Sequence, residues 1–239
     1  MNASDMTSLS ATAARNNADW CASVSRSHGI SGTLGERVWW SPRRTPPYYP
    51  DAVTLRPDAA PADFLPSVDR GAPGCSVKDS FGALDLASEG FTGMVDARWI
   101  HRPAERPVPE WPNLPAERVL TADRLLEWQA AWAGGEDTPD VFRPVLLDDP
   151  TVLVLAFRDG DDLAGGVVLN EGAGVVGVSN LFAVDSAAVA AVWSSAVTAA
   201  ADYHPGLALV GYEQGDDLAP ALATGFDALG PLRIWLHTS

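Results

Sequence analysis

Few side chains in this chain have the chemistry to move a proton or grip an anion at a fixed place. Four are histidines, His28, His101, His204 and His237. His28 precedes the glycine-rich run Gly29-Ile-Ser-Gly32-Thr-Leu-Gly35 and is the histidine best placed to act as a base. His101 closes a strand-like run, where it could reach a pocket rim. His204 sits before Pro205 at a helix end, where a cation suits the helix dipole, and His237 lies near the chain end, where solvation is expected. Glu213 follows a strand-like run inside Gly211-Tyr-Glu-Gln-Gly215, and α/β proteins build sites at the carboxyl ends of strands. It serves either as a general base or as a cap or ion-pair partner.

A second group is Ser41-Pro-Arg43-Arg44-Thr45-Pro-Pro-Tyr48-Tyr49-Pro50. Its four prolines rule out a regular helix or a central strand. Either the segment is a rigid crossing loop whose tyrosine rings seal the core, or Arg43 and Arg44 bind a carboxylate or phosphate beside Tyr48 and Tyr49. Arginine suits that task because its planar fork matches such anions with two hydrogen bonds. The glycines of 29–35 do not make a phosphate loop, since a helix precedes them and a strand follows. No Ser-His-Asp spacing, metalloprotease helix or dinucleotide fingerprint occurs.

Composition narrows the classes further. With 16 Lys plus Arg against 31 Asp plus Glu the net charge is −15, which repels phosphate backbones and argues against nucleic acid as a partner. Lys78 is the only lysine, and the use of Arg with much Ala, Gly and Pro suggests a GC-rich bacterial genome. Cys21 and Cys75 are too few for a disulfide framework or a zinc cluster, so no metal is expected and both thiols read as reduced and buried. No apolar run is long enough to span a bilayer and the N-terminus lacks an apolar signal core, so a cytoplasmic protein without a membrane partner is expected.

The elements that must position these residues follow from hydrophobic period. Residues 1–10 hold few apolar groups and read as frayed. Thr12–His28 is helical, with Ala13, Trp20 and Val24 on one face and Gly29 as its stop. Arg37–Trp40, Ala52–Leu55 and Phe91–His101 read as strands, Pro61–Asp69 as a short helix and Cys75–Phe81 as mixed. Residues 103–115 carry five prolines and read as an extended linker. The expected organisation is therefore an N-terminal domain 1–102, a Pro-rich linker 103–115 and a C-terminal domain 116–239. The second domain opens with strand Glu117–Leu120, helix Ala122–Ala133 capped by Thr121, an acidic loop Glu136–Pro139 and a short helix within Val141–Leu147 broken by Pro144. Then come strands Val152–Phe157, Leu163–Asn170 and Val175–Val184, helix Ser186–Tyr203, strand Leu207–Tyr212, helix Asp216–Thr224 and strand Leu232–Leu236.

That order, with the ending Thr224-Gly225-Phe226 and then Leu229-Gly-Pro-Leu-Arg-Ile-Trp235, resembles the C-terminal half of the GNAT acyltransferase fold over roughly 115–239. The phrases SVKDSFGALDL and GFTGMVDARWIHR resemble segments of bacterial tandem GNAT-like proteins, and strand, helix, strand, strand in 1–102 suits a reduced copy of the same unit. The resemblance implies an α/β fold: a GNAT-like mixed sheet flanked by helices, as two GNAT-like units with a reduced N-terminal one. It implies a cytoplasmic acyltransferase that moves an acyl group from acetyl-CoA or another acyl thioester, such as a carrier-protein arm, to a small-molecule amine or hydroxyl. It also implies that Ser179 and Asn180 lie where the family places substrate carbonyls.

Two family features are absent. The family cradles pyrophosphate on a Gln/Arg-x-x-Gly-x-Gly/Ala loop at a helix start, but the equivalent here is Val184-Asp185-Ser186-Ala187-Ala188, with no glycine and a carboxylate. The usual acid Tyr would fall at Ala221, so an acid must come from elsewhere, such as Tyr212 or Tyr203. The alternative is a diverged GNAT scaffold that does not use CoA and binds a small molecule, or catalyses another reaction, in a cleft between the units.

Overall fold

The computed structural model describes residues 2–71, 73–110, 113–135 and 140–238. The expected acidic loop at 136–139 and Pro112 of the Pro-rich stretch lie outside them. Four α-helices flank one mixed sheet: α1 (Ala3–Ser27), α2 (Ala122–Trp132), α3 (Val189–Tyr203) and α4 (Leu218–Ala223). The strands are β1 (Thr33–Leu34), β2 (Val38–Trp40), β3 (Ala52–Thr54), β4 (Ser76–Asp79), β5 (Phe91–Arg102), β6 (Ala116–Arg118), β7 (Val152–Asp159), β8 (Asp162–Gly172), β9 (Val175–Ala183), β10 (Leu209–Glu213) and β11 (Asp227–His237). Their order across the sheet is β1-β2-β3-β4-β11-β5-β10-β9-β8-β7-β6.

β5 is inserted between β10 and β11, antiparallel to both, and β11 in turn pairs with β4. Strands from either side of residues 103–115 thus alternate within one sheet. The Pro-rich stretch has to run from the end of β5 to β6, five strand positions away, or about 24 Å at the usual strand spacing. It crosses the outside of α3, where Ser194 donates to Asn113 Oδ1 at 2.8 Å and Leu114 N–H donates to Ser195 Oγ at 2.8 Å.

Helices cover both faces of the sheet. On one face, α3 packs on β8 and β9 through Val192, Trp193, Ala196, Val197 and Ala200, and α4 lies against α3 and β10, with Ala221 and the following Phe226 in the same core. The small side chains of α3 let it lie close to the strands, as a crossover between the parallel pair β9 and β10 requires. On the other face, α1 and α2 bury Trp20, Val24, Leu125 and Trp128 against Val154, Ala156 and Val168. Asn16 of α1 reaches the sheet itself, donating to the carbonyls of Asn170 (3.0 Å) and Gly172 (3.1 Å). A Cβ at Gly177 would lie 2.2 Å from Asn16 Oδ1, so glycine is required for that approach.

Several expectations are corrected. Residues 1–10 are not frayed: α1 begins at Ala3, closed by a reciprocal capping box between Asn2 and Asp5. Its first turns pack on the sheet through Leu9 and Ser10, contacts that sequence proximity does not reveal. Pro61–Asp69 forms two 3-10 turns, Pro61–Asp63 and Leu65–Ser67, instead of a helix, since Pro66 cannot donate within one. Residues 144–148 are likewise a 3-10 turn. His237 is not solvated: β11 runs on to pair with Phe91, which leaves the residue 8% exposed, with its ring centroid 4.9 Å from that of Phe91.

Candidate functional site

The parallel ladder between β9 and β10 holds only Leu209 with Val176 and Val210 with Gly177, after which no further residues of the two strands pair. Just past the last pair, β9 bulges. Its pairing with β8 jumps from Val168–Ser179 to Gly166–Phe182, so two residues of β9, Asn180 and Leu181, oppose Val167 alone. Asn180 takes φ +53°, a left-handed conformation that asparagine adopts more readily than other residues with a Cβ. The ladder's end and the bulge leave a cavity of about 200 Å³ lined by Trp20 and Cys21 of α1, Tyr48, Tyr49 and Pro50, Lys78 of β4, Val178–Leu181, and Tyr212 and Glu213 of β10.

Six sequence candidates, Tyr48, Tyr49, Ser179, Asn180, Tyr212 and Glu213, thus line one cavity. Asn180 Oδ1 accepts from Trp20 Nε1 and from the Tyr49 hydroxyl, both at 3.1 Å. Indole N–H can only donate, so this end of the amide is fixed as the oxygen. Burial holds Tyr49 well above the ordinary tyrosine range, so it stays a hydroxyl donor. Asn180 Nδ2, on the cavity wall, has no acceptor among the described residues. Burial, with a smaller contribution from Asp217, pushes the Glu213 carboxyl up to about 8. A carboxyl with that value exchanges its proton near neutral pH, as a general base should.

Three candidates are elsewhere. His28 ends α1 seven residues past Cys21, about 10 Å along the helix, and its Nε2 lies 2.8 Å from the Val141 carbonyl oxygen. Arg43 donates to the Gly29 carbonyl. Arg44 Nη1 pairs with Asp51 Oδ2 at 2.8 Å, and the Asp51 side chain is 2% exposed. Asp51 also accepts from Thr45 N–H (2.8 Å), the Thr45 hydroxyl (3.1 Å) and Ser76 N–H (2.9 Å). Arg43 therefore ties the Pro-rich loop to the end of α1, and Arg44, through Asp51, ties it to β4; neither lines the cavity, and Arg44 lines another with Met94, Ile234 and Leu236. His101 is held by β-pairing to Val210 and Asp227, and burial lowers its pKa. His204 ends α3 with Nδ1 3.3 Å from Glu171 Oε2.

Sequence reasoning missed Trp20, Cys21 and Lys78. Lys78 carried one usable signal: it is the single lysine of a chain that otherwise takes its cations from arginine. Cys21 is buried beside it and its thiol is pushed up to about 11, so it stays protonated.

At the start of α3, the Asp185 carboxylate accepts from Ala187 N–H at 2.9 Å and its carbonyl from Ala188 N–H at 2.9 Å. Two of the donors at this helix start are thus already taken, and a carboxylate stands among them, so these residues do not fit the diphosphate of CoA. Among the described residues no cluster of His, Cys, Asp and Glu could hold a metal ion, and no helix is long and apolar enough to cross a membrane.

No family model matches the sequence, and no curated protein matches it. Solved structures do match. A GCN5-related N-acetyltransferase from Kribbella flavida superposes with a TM-score of 0.63 at 18% identity, over 95% of this chain and 96% of that one. A GNAT-family acetyltransferase, so described, from Novosphingobium aromaticivorans superposes with a TM-score of 0.56 at 12% identity, over 92% and 96%. The parted strands, the bulge at Asn180 and the crossover helix α3 therefore belong to a chain with the fold of the GCN5-related N-acetyltransferases.

Proposed function

We propose that the protein is an acyltransferase that works in the cavity between β9 and β10, moving an acyl group from a thioester to a small-molecule amine. The observation that carries this is the pairing, in one cavity, of an amide donor with no acceptor among the described residues and a carboxyl whose pKa burial raises to about 8. Asn180 Nδ2 donates to the acyl carbonyl oxygen as negative charge develops there, held in place by Trp20 and Tyr49. The Glu213 carboxylate takes a proton from the acceptor's ammonium group and frees its lone pair for attack on the acyl carbon. The new C–N bond forms and the C–S bond breaks. Tyr212, which lines the same cavity, is the acid for the departing thiolate and regains its proton from the nitrogen. A hydroxyl acceptor would need the same base.

The occupied N–H groups at Asp185 favour a donor held by its acyl end, such as an acyl-pantetheine or a carrier-protein arm, over one held by a diphosphate. The same observation favours a second reading, a scaffold that has given up CoA and binds a small molecule between Tyr49, Asn180 and Glu213. Incubating the protein with acetyl-CoA, acetyl-pantetheine and acyl carrier protein, each with an amine panel, and following free thiol tests the first reading. Release that depends on the amine and falls about 100-fold in Glu213→Gln is expected. No amine-dependent thiol from any donor overturns it and leaves the second reading.

A further inference from the structure

We propose that the acceptor carries a carboxylate as well as its amine, an amino acid in the broad chemical sense, and that Lys78 holds that carboxylate. The proposal rests on the acyltransferase reading for the word acceptor, but the binding it describes does not require transfer to occur.

Lys78 is 3% exposed and lines the same cavity as Asn180 and Glu213. Lysine is almost never this buried without an opposite charge, because removing an ammonium from water is costly. Here its partners are neutral. Nζ donates to Asn17 Oδ1 at 2.8 Å and stands 4.2 Å above the Tyr212 ring centre. Among the described residues no carboxylate pairs with it. Glu213 is not a hidden counter-ion: burial and Asp217 set its proton affinity, with no share from Lys78.

An ammonium has three hydrogens. One goes to Asn17 and one faces the aromatic ring, which leaves one for an anion in the cavity. A single cation balances a single negative charge, so a carboxylate fits better than a doubly charged phosphate. On the opposite account Glu213 takes the ammonium group of the same molecule, so the two walls suit the two ends of a zwitterion. The cavity's volume of about 200 Å³ limits the molecule to a small one. The position is built by the fold. β4 places Lys78 opposite Ile234 of β11 and Val53 of β3, and α1 brings Asn17 down on it.

The test is binding of glycine, β-alanine, γ-aminobutyrate and phenylalanine, each against its own carboxamide, followed by calorimetry and by quenching of tryptophan emission, since Trp20 lines the cavity. At least one carboxylate is expected to bind ten times or more tighter than its amide. Lys78→Met is expected to remove the preference. Because that variant may fail to fold, Asn17→Asp supplies the same answer with an isosteric change: it gives Lys78 a permanent partner and should cancel the preference while the thermal transition is retained. Equal binding of acids and amides, no binding of any acid, or a preference that survives Asn17→Asp in folded protein overturns the proposal. Carboxylate-selective binding without thiol release sustains it and removes the acyltransferase reading instead.

Discussion

Two pairs of hydrogen-bond donors, one within the Pro-rich loop and one in the cavity beside it, differ in what they leave unsatisfied. Arg43 and Arg44 looked like the anion-binding pair, yet Arg43 donates to the Gly29 carbonyl and Arg44 to a carboxylate that also ties down Thr45 and Ser76. Lys78 and Asn180 have only neutral partners, Asn17 and the Tyr212 ring for the one and Trp20 and Tyr49 for the other, and retain donors that no described residue accepts. A cation with a full set of protein partners holds structure together. One without them makes a site, because leaving a buried donor unmade costs more than a typical hydrogen bond contributes.

That contrast can be broken by substitution. The largest effect is expected at Asn180→Ala, with thiol release from the acyl donor falling roughly 100- to 1000-fold, as for loss of an oxyanion donor; a loss under threefold would remove Asn180 from the chemistry. Asp51→Ala should destabilise the protein by about 3 kcal/mol in urea unfolding, since it leaves Arg44 and two N–H groups without an acceptor. A change within about 0.5 kcal/mol would mean the loop is not held as described.

Glu213 gives a pH-dependent contrast. Burial raises its folded pKa to about 8 from the ordinary 4.5. The folded state then binds the proton more tightly, and its stability falls as pH rises from 4.5 towards 8, by about 1.4 kcal/mol per unit at most. Glu213→Gln should therefore match wild type near pH 4.5 and be more stable by roughly 4 kcal/mol at pH 8, while losing the rise of activity through pH 8. Parallel stability curves across that range would show a solvated Glu213. Smaller still, Asp185→Gly should tighten acetyl-CoA binding several-fold by freeing Ala187 N–H and removing a like charge; unchanged binding would place the diphosphate elsewhere. Arg43→Ala, at an exposed bond, should shift neither rate nor stability by more than about 0.5 kcal/mol.

The sequence determined local matters. Hydrophobic period located the strands of the second half, and the Ala-rich crossover is α3. Asp185 caps the turn that leads into α3, since capping is decided by a few adjacent residues. The positions of Glu213 at a strand end and of Asn180 on the central strand were legible, and both residues line the cavity. Only the tertiary structure decided what depends on distant pairing. β5 enters between β10 and β11 from more than 100 residues away in sequence. α1 brings Trp20 to Asn180, 160 positions on. The partners of Arg44 and Lys78 separate a structural cation from one with a donor to offer. Period and composition report burial and local conformation. They do not report which hydrogen bonds are already made, and on that count the site is distinguished from the scaffold.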